Sequence, residues 1–261
     1  MKKISSGSSR AGNPDLRGLM PRNFIEPMSA LWRAADERSW FRALCLTARR
    51  CGFDHTLFAV IPRPGMRYAD VYLHSNHASS WRETYEERAF MRIDPTVMHC
   101  LRQTAPLIWS STAFAEIQQK EMYEEARRHG LATGVSLPIH GPKQEVGMLS
   151  FACGDQSRRE LEANVRRHLP FLTLLRDVAF DTGQRFLSRH AETLIPKLTP
   201  REYECLKWTA QGKSTWEIAK IFGCSEATVN FHMANIRTKF GVSSRSAAAV
   251  KATRMGLIDP C

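Results

Sequence analysis

The chain has 261 residues, of which 43% are hydrophobic and 24% are charged, a composition typical of one or two folded domains. Its apolar runs are far shorter than the roughly 18 residues that a membrane-spanning helix needs, and no secretory signal opens the sequence, so we expect a cytoplasmic protein without a membrane partner. Seven scattered cysteines without a Cys-x-x-Cys pair argue against a disulfide framework or a metal site and indicate reduced, mostly buried thiols. The formal charge of +11 favours a polyanionic partner.

The basic charge is concentrated at the two ends of the chain. Residues 196–261 hold ten basic and five acidic side chains, residues 1–22 hold five basic and one acidic, and the middle is nearly balanced. Because residues 1–22 are rich in Ser, Gly, Pro and Arg without apolar periodicity, we predict that they form a mobile tail.

The middle of the chain has patterns of helices and short strands. In chain order, the predicted elements are a helix from Phe24 to Cys51, strands at 53–61 and 67–73, helices over 80–104 with a break at Asp94–Pro95, a helix over 116–129, strands at 133–139 and 145–152, and a long helix from 157 to about 190. This order predicts an α+β fold, an α-β-α sandwich whose sheet is mostly antiparallel.

The long helix carries apolar residues at helical spacing, namely Leu161, Val165, Leu169, Leu172, Leu175 and Phe180. They form either a dimer surface or core packing against the sheet, and the sequence leaves both open. Pro170 predicts a kink within this helix.

The C-terminal region has four helices that are recognisable from their ends. A hydroxyl cap begins each and a glycine ends each: Thr199 to Gly212, Ser214 to Gly223, Ser225 to Gly241, and Ser243 or Ser244 to about Gly256. The second and third are joined by only Gly223-Cys224-Ser225, the short turn of a helix-turn-helix. We therefore predict a small all-α domain of four helices.

The third of these helices has one apolar stripe and one polar face. Val229, Met233, Ile236 and Phe240 share the stripe, which we expect to face the core. The other face suits the major groove of DNA, because amides can bind adenine edges and apolar groups can contact thymine methyls. The predicted DNA-contacting residues are Lys213, Thr215, Thr228, Asn230, Phe231, His232, Ala234, Asn235, Arg237 and Lys239. A motif that only packs, with a solvated polar face, is the alternative.

The stretch LTPREYECLKWTAQGKSTWEIAKIFGCSEATVNFHMANIRTKFGV resembles the DNA-binding module of LuxR-type regulators. Glu202, Leu206 and Gly212 match the family's most constant positions, and the match covers most of residues 198–258. The same module occurs in response regulators that have a phosphoacceptor domain, so the upstream region decides the input signal.

That upstream region contains two indoles, a phenol and a carboxylate within thirty residues, in HASSWRETYEERAFMRIDPTVMHCLRQTAPLIW. Trp81 and Tyr85 lie one helical turn apart, and with Asp94 and Trp109 they offer the apolar walls and few polar groups of a small-molecule pocket. Each residue taken singly is more commonly a core residue. The spacing is similar to the autoinducer-binding domain of LuxR-type quorum-sensing receptors, and Gly134 and Ser150 also match.

This resemblance implies that the ligand is an N-acyl homoserine lactone and that no other cofactor is bound. It implies that Trp81 donates its indole N–H to the lactone carbonyl, that Asp94 accepts the ligand amide N–H, and that Ser150 helps to hold the acyl carbonyl. Tyr85 and Trp109 would wall the pocket. The chain departs from the family at His77, where a Tyr hydroxyl usually binds the acyl carbonyl. A shorter imidazole that titrates near neutrality alters the expected selectivity.

We therefore predict a signal-responsive transcription regulator. Its expected domains are a sensor over 23–175, a linker over 176–196 and the DNA-binding domain over 197–261. The expected partners are an inverted-repeat DNA operator, the small-molecule autoinducer, a second copy of the chain and RNA polymerase. Three alternatives remain: a regulator of the same type for another hydrophobic signal or with no ligand, a phosphorylated response regulator, and an enzyme. The last two are disfavoured because the chain has neither a receiver pattern nor a catalytic motif.

Overall fold

The computed structural model describes residues 22–64, 66–109, 111–154 and 157–258. Its helices are α1 Arg22–Arg33, α2 Glu37–Arg50, α3 Ser79–Glu87, α4 Pro95–Arg102, α5 Ile117–Arg128, α6 Arg158–Leu194, α7 Pro200–Ala210, α8 Thr215–Phe222, α9 Glu226–Phe240 and α10 Arg245–Arg254. Its strands are β1 His55–Ile61, β2 Tyr72–Ser75, β3 Leu107–Ile108, β4 Thr133–His140 and β5 Val146–Cys153. The predicted tail, residues 1–22, lies outside the described residues except for Arg22, at which α1 begins.

The five strands form one antiparallel sheet in the order β2-β1-β5-β4-β3, with helices on both faces. Helices α1, α2 and α6 cover one face and enclose the main core, and α3, α4 and α5 lie over the other. The predicted α+β class and the α-β-α sandwich are confirmed. Within the described part of the chain, no helix is both long and apolar enough to span a bilayer.

The structure has two helices, α1 and α2, where the sequence predicts one helix from Phe24 to Cys51. Asp36 caps a new helix by accepting a hydrogen bond from the Ser39 amide at 2.7 Å, and the Ser39 hydroxyl accepts one from the Asp36 amide at 3.3 Å. This capping box stabilises a helix start, so the chain turns between Arg33 and Glu37. The break allows both helices to pack their apolar faces on the same core.

The predicted strand over 67–73 is wrong for most of its length. Residues Tyr68–Asp70 form a 3₁₀ turn, in which Asp70 accepts a hydrogen bond from the Arg67 amide at 2.9 Å, and the strand begins only at Tyr72. The side-chain carboxylate offers the backbone an alternative to sheet pairing, which explains the difference. The short strand β3 was not predicted, because its two residues are too few to show a pattern.

Helix α6 is longer and more deeply packed than predicted. Five of the six candidates for a dimer surface are buried in the core, and Leu169 is partly buried against it, so the core-packing alternative is confirmed. The five are Leu161, Val165, Leu172, Leu175 and Phe180. The predicted linker, residues 176–196, is helical as far as Leu194, and Phe186 and Leu187 pack in the same core. The helix continues through Pro170, which lies on the exposed face, where the freed carbonyl can reach water. The kink at Pro170 stays a prediction.

The fully buried Trp40 joins α2 to α6. Its indole N–H donates a hydrogen bond to the Thr182 hydroxyl at 2.9 Å. A β-carbon at Gly183 would approach the Trp40 ring to 3.0 Å, so a glycine here allows close packing of the indole on the helix.

The four C-terminal helices have the predicted hydroxyl caps. Thr199, Ser214, Ser225 and Ser244 each accept a hydrogen bond from a first-turn amide. Gly223 and Gly241 adopt positive φ at the ends of α8 and α9. The predicted stripe of Val229, Met233, Ile236 and Phe240 lies in the core of this domain, which confirms that prediction.

Candidate ligand cavity and nucleic-acid interface

A cavity of about 870 Å³ lies between the sheet and helices α3, α4 and α5. Its lining is mostly apolar, as ligand sites require. Six of the seven predicted ligand residues line it: His77, Trp81, Tyr85, Asp94, Trp109 and Ser150. The sequence window therefore brings its aromatic and carboxylate groups together around one cavity.

Gly134, the seventh predicted residue, lies behind the wall of the cavity. The Trp109 amide donates a hydrogen bond to the Gly134 carbonyl at 2.8 Å. A β-carbon at this position would come within 2.5 Å of the Phe151 carbonyl oxygen and 2.9 Å of Trp109 Cε3. Gly134 therefore positions the Trp109 indole rather than lining the cavity.

Two acidic residues line the cavity: Glu86, which is exposed, and Asp94, which is only 8% exposed. Asp94 Oδ1 accepts hydrogen bonds from the Thr96 amide at 2.8 Å and the Thr96 hydroxyl at 2.7 Å, and Asp94 Oδ2 accepts one from the Tyr85 hydroxyl at 2.9 Å. Burial raises the pKa of Asp94, and these hydrogen bonds oppose the rise. The carboxylate caps α4 and retains lone pairs for a further donor.

Trp81 supplies a donor in the same cavity, on the other side of Tyr85 in the chain of contacts that leads to Asp94. Its side chain is 5% exposed, and its ring packs edge-on against Tyr85 with the centroids 5.6 Å apart. Among the described residues the structure shows no acceptor for its indole N–H. The N–H is therefore available to a polar group of an occupant.

A chain of hydrogen bonds links two residues that line the cavity, Trp109 and Ser150. The Trp109 indole N–H donates to the Ser136 hydroxyl at 2.9 Å, and the Ser136 and Ser150 hydroxyls are hydrogen-bonded at 2.8 Å. Ser136 was not among the predicted residues. It pairs with Ser150 across β4 and β5, a contact that depends on the strand register.

His77 is half-buried beside His55, with the ring centroids 5.9 Å apart. The Nδ1 atoms of both rings are buried and have no hydrogen-bond partner in the described structure. Burial, followed by the positive charges of His55 and Arg82, lowers the pKa of His77 to about 4. His77 is therefore neutral near pH 7, contrary to the expectation of titration there.

The lowered pKa of His77 makes the protein less stable in acid. Unfolding returns the pKa to about 6.5, so the unfolded chain binds a proton below that pH and the folded chain does not until about pH 4. We expect stability to fall as pH decreases from 6.5 to 4, by up to about 1.4 kcal/mol per pH unit. His77→Gln should lose this contribution. Urea unfolding of both proteins at pH 7 and pH 5 measures it, and an equal pH effect in the two would contradict the prediction.

Cys100 is a buried thiol in the cavity wall. Burial, followed by the charge of Asp94, raises the pKa of Cys100 to about 12, so the thiol is protonated and a poor nucleophile. Six cysteines in the described residues are free. Among those residues, no cluster of three or more metal-ligating side chains occurs.

The predicted DNA-contacting face of α9 is accessible. Thr228, Asn230 and Phe231 are exposed near the start of the helix, Phe231 by 62%, and His232, Ala234 and Asn235 are half-buried. Recognition helices contact base edges chiefly through their N-terminal residues. The exposed amide and phenyl ring therefore occupy the part of α9 that such a contact requires.

The predicted phosphate contacts differ in their surroundings. The Lys213 ammonium pairs with Glu217 at 3.1 Å, and Arg237 is exposed at the end of α9. Lys239 instead pairs with Glu202 Oε2 at 2.5 Å, and Glu202 is 3% exposed. Because a buried carboxylate needs a partner, Lys239 has a structural task within the domain.

Arg245 was not predicted as a functional residue. It donates hydrogen bonds to the Thr215 hydroxyl at 2.9 Å and to the Lys213 carbonyl at 2.5 Å, and so fixes the start of α8. Its position directly after the Ser244 cap gave no signal of this contact.

A sensor cavity joined to a helix-turn-helix defines a ligand-responsive transcription regulator. The chain matches the autoinducer binding domain over residues 36–182 and the bacterial regulatory proteins of the luxR family over residues 196–252. It belongs to the LuxR family of transcription regulators, which are not enzymes.

Named relatives and a solved structure agree with this assignment. The chain is 36% identical to the transcriptional activator VanR of Vibrio anguillarum, over 80% of this chain and 86% of VanR. It is 32% identical to the quorum-sensing regulator RhlR of Pseudomonas aeruginosa, over 85% of this chain and 91% of RhlR. SdiA in complex with octanoyl-rac-glycerol superposes with a TM-score of 0.67 and 25% identity, over 94% of this chain and 97% of SdiA.

Proposed function

We propose that this chain binds an N-acyl homoserine lactone in the cavity and, as a two-fold dimer, binds an inverted-repeat operator. The observation that carries the proposal is the pairing of a buried acceptor, Asp94, with an available donor, Trp81, at the polar end of an apolar cavity. A neutral amide and a lactone carbonyl can satisfy both groups, which are costly to bury unpaired.

In this proposal the remaining residues shape the site. Asp94 accepts the ligand amide N–H, Trp81 donates to the lactone carbonyl, and Ser150 holds the acyl carbonyl with support from Ser136. Tyr85 and Trp109 form walls, and Gly134 places Trp109. His77 offers a neutral imidazole nitrogen where the family has a hydroxyl, and so changes which acyl groups fit.

A second candidate ligand is another acylated amphiphile. His77 favours it, and the SdiA structure that this chain resembles contains octanoyl-rac-glycerol, an acyl chain on a polar head. An acyl glycerol has hydroxyls instead of an amide, and these can also donate to Asp94.

On DNA, we propose that α9 enters the major groove. Asn230, Phe231, Ala234 and Asn235 then face base edges, with Thr228 and His232 at the border of the contact. Lys213, Thr215 and Arg237 lie beside phosphates, and Lys239 contributes by holding Glu202. Such a regulator works beside the chromosome in the cytoplasm, and RNA polymerase is the partner through which it would act.

The ligand proposal is tested by thermal unfolding of the full chain. N-butanoyl, N-octanoyl and N-dodecanoyl homoserine lactones are added, with octanoylglycerol as the second candidate and homoserine lactone without an acyl chain as control. At 100 times its Kd a ligand stabilises by about 2.7 kcal/mol, which raises the Tm by about 5–10 °C. We expect this shift with at least one lactone. A shift with octanoylglycerol alone supports the second candidate, and no shift with any acylated compound refutes both.

A further inference from the structure

The cavity has a polar end and an apolar end, and the register of β1 and β5 sets its direction. Leu57, Ala59 and Ile61 line it from β1, and they pair with Ser150, Met148 and Val146 of β5. The Ser150 hydroxyl thus lies beside Leu57, and toward Ile61 the two strands contribute apolar side chains to the cavity wall. The distance from Leu57 to Ile61 is about 13 Å along the strand. An occupant with its polar head near Asp94 and Ser150 extends its tail toward Ile61.

The connection between β1 and β2, taken here as residues 62–64 and 66–71, borders the cavity beyond Ile61. Arg67, Tyr68, Ala69 and Val71 of this connection line the cavity, and the Arg67 side chain is largely exposed to solvent. The 3₁₀ turn at Tyr68–Asp70 is held by the Arg67 amide and the Asp70 carboxylate, so this part of the connection is locally fixed. A tail that passes Ile61 therefore meets a defined piece of backbone.

The same connection contacts the DNA-binding domain. The Arg63 guanidinium donates a hydrogen bond to the Met255 carbonyl at 2.6 Å, just after the end of α10. Met66 packs against the hydrophobic core of the four C-terminal helices. His190 Nε2 is hydrogen-bonded to the Asp70 carbonyl at 3.1 Å, which ties the connection to α6 as well.

This contact between the domains is small. A cleft of about 550 Å³ lies beside it, lined by Pro62, Arg63, the β4–β5 turn, α6 and residues 253–256. Small polar interfaces within a chain can open and close readily. Among the described residues the connection touches this domain through the Arg63 hydrogen bond, the Met66 packing and the attraction between Asp70 and Lys251. So small a contact is the kind that an occupant of the cavity can shift.

We propose that the β1–β2 connection transmits the length of the ligand tail to the DNA-binding domain. This inference rests on the proposed function, because it assumes an amphiphile with a polar head and an apolar tail. The head group gives binding, and the tail, by its contact with Tyr68, Ala69 and Val71, sets the position of Arg63 and Met66 against α10. Since a ligand shifts an equilibrium only through a difference in affinity between two states, tails that stop short of Ile61 bind without this effect.

The experiment measures operator affinity at saturating N-butanoyl, N-octanoyl and N-dodecanoyl homoserine lactone, with an operator selected from random duplexes. The variant is Arg63→Ala with Met66→Ala, since neither side chain lines the cavity. The matched control is Arg159→Ala, an exposed arginine at the start of α6. In the wild type and control we expect affinity to differ about 5-fold or more between the shortest and longest tails. In the double variant this difference should disappear while lactone affinity is kept.

Tail-independent operator affinity in the wild type, or an undiminished tail effect in the double variant, would overturn the proposal. A second arm does not depend on lactone binding. Ala59→Leu and Ala59→Phe fill the apolar end from the wall, and hydrogen exchange at residues 245–256 should then change without ligand. The change should be absent when Arg63→Ala and Met66→Ala are added. If no lactone binds, the proposed ligand is wrong, and this arm alone decides the coupling.

Discussion

Asp94→Asn is expected to lower the affinity for an N-acyl homoserine lactone about 100-fold while the free protein stays folded. The amide oxygen of asparagine can still accept the bonds from Thr96, so the start of α4 keeps its cap. The group that faces Tyr85 and the cavity becomes an N–H donor, and the ligand amide loses its charged acceptor. A hydrogen bond to a charged group contributes about 1.5–3 kcal/mol. In the variant the asparagine N–H also faces the ligand amide N–H, and two donors cannot bond to each other.

Isothermal titration with the lactone that gives the largest thermal shift measures the loss at Asp94. Asp177→Asn, which makes the same chemical change on the exposed side of α6, is the matched control and should bind as the wild type does. Unchanged affinity in Asp94→Asn would show that the carboxylate does not contact the ligand. Equal unfolding midpoints of the unliganded proteins exclude a general loss of structure.

Asn230→Ala and Phe231→Ala are expected to remove sequence discrimination by α9. Both side chains are exposed, so their truncation leaves the domain core intact. A good base contact contributes about 1–3 kcal/mol of discrimination, so each variant should lose about 5- to 150-fold in affinity for a selected operator. Affinity for random duplex DNA should hardly change, because phosphate contacts dominate it.

Lys213→Ala provides the contrast to these two variants. Loss of a phosphate contact weakens binding to operator and random DNA alike and reduces its salt dependence. Fluorescence anisotropy on both duplexes at two salt concentrations separates the two patterns. If Asn230→Ala and Phe231→Ala lowered both affinities equally, the assignment of these residues to base contacts would be wrong.

The C-terminal domain was the most predictable part of the structure. Its helix ends are set by local chemistry, a hydroxyl cap and a glycine with positive φ, and its stripe of Val229, Met233, Ile236 and Phe240 follows helical spacing directly. The tasks of Lys239 and Arg245 were not predictable, because they depend on Glu202 and Thr215, which other helices bring near.

The sensor shows where local patterns fail. The aromatic and acidic window was sufficient to gather Trp81, Tyr85 and Asp94 at one cavity, since Trp81 and Tyr85 lie one turn apart on α3 and Asp94 caps α4, the next α-helix along the chain. Ser136 depends on strand register, and the neutrality of His77 depends on burial beside His55, so neither has a signature in its own neighbourhood. The 3₁₀ turn at Tyr68–Asp70 arises from one carboxylate that competes with sheet pairing.

Helix α6 also determines where the protein can be divided. Its 37 residues extend over about 55 Å, and its second half completes the core of the sheet domain through Phe180, Phe186 and Leu187. A fragment cut at residue 175 would expose the apolar surfaces that these side chains cover, and such surfaces promote aggregation. The natural boundary for an expression fragment is therefore after Leu194, only five residues before the helix that opens the DNA-binding domain.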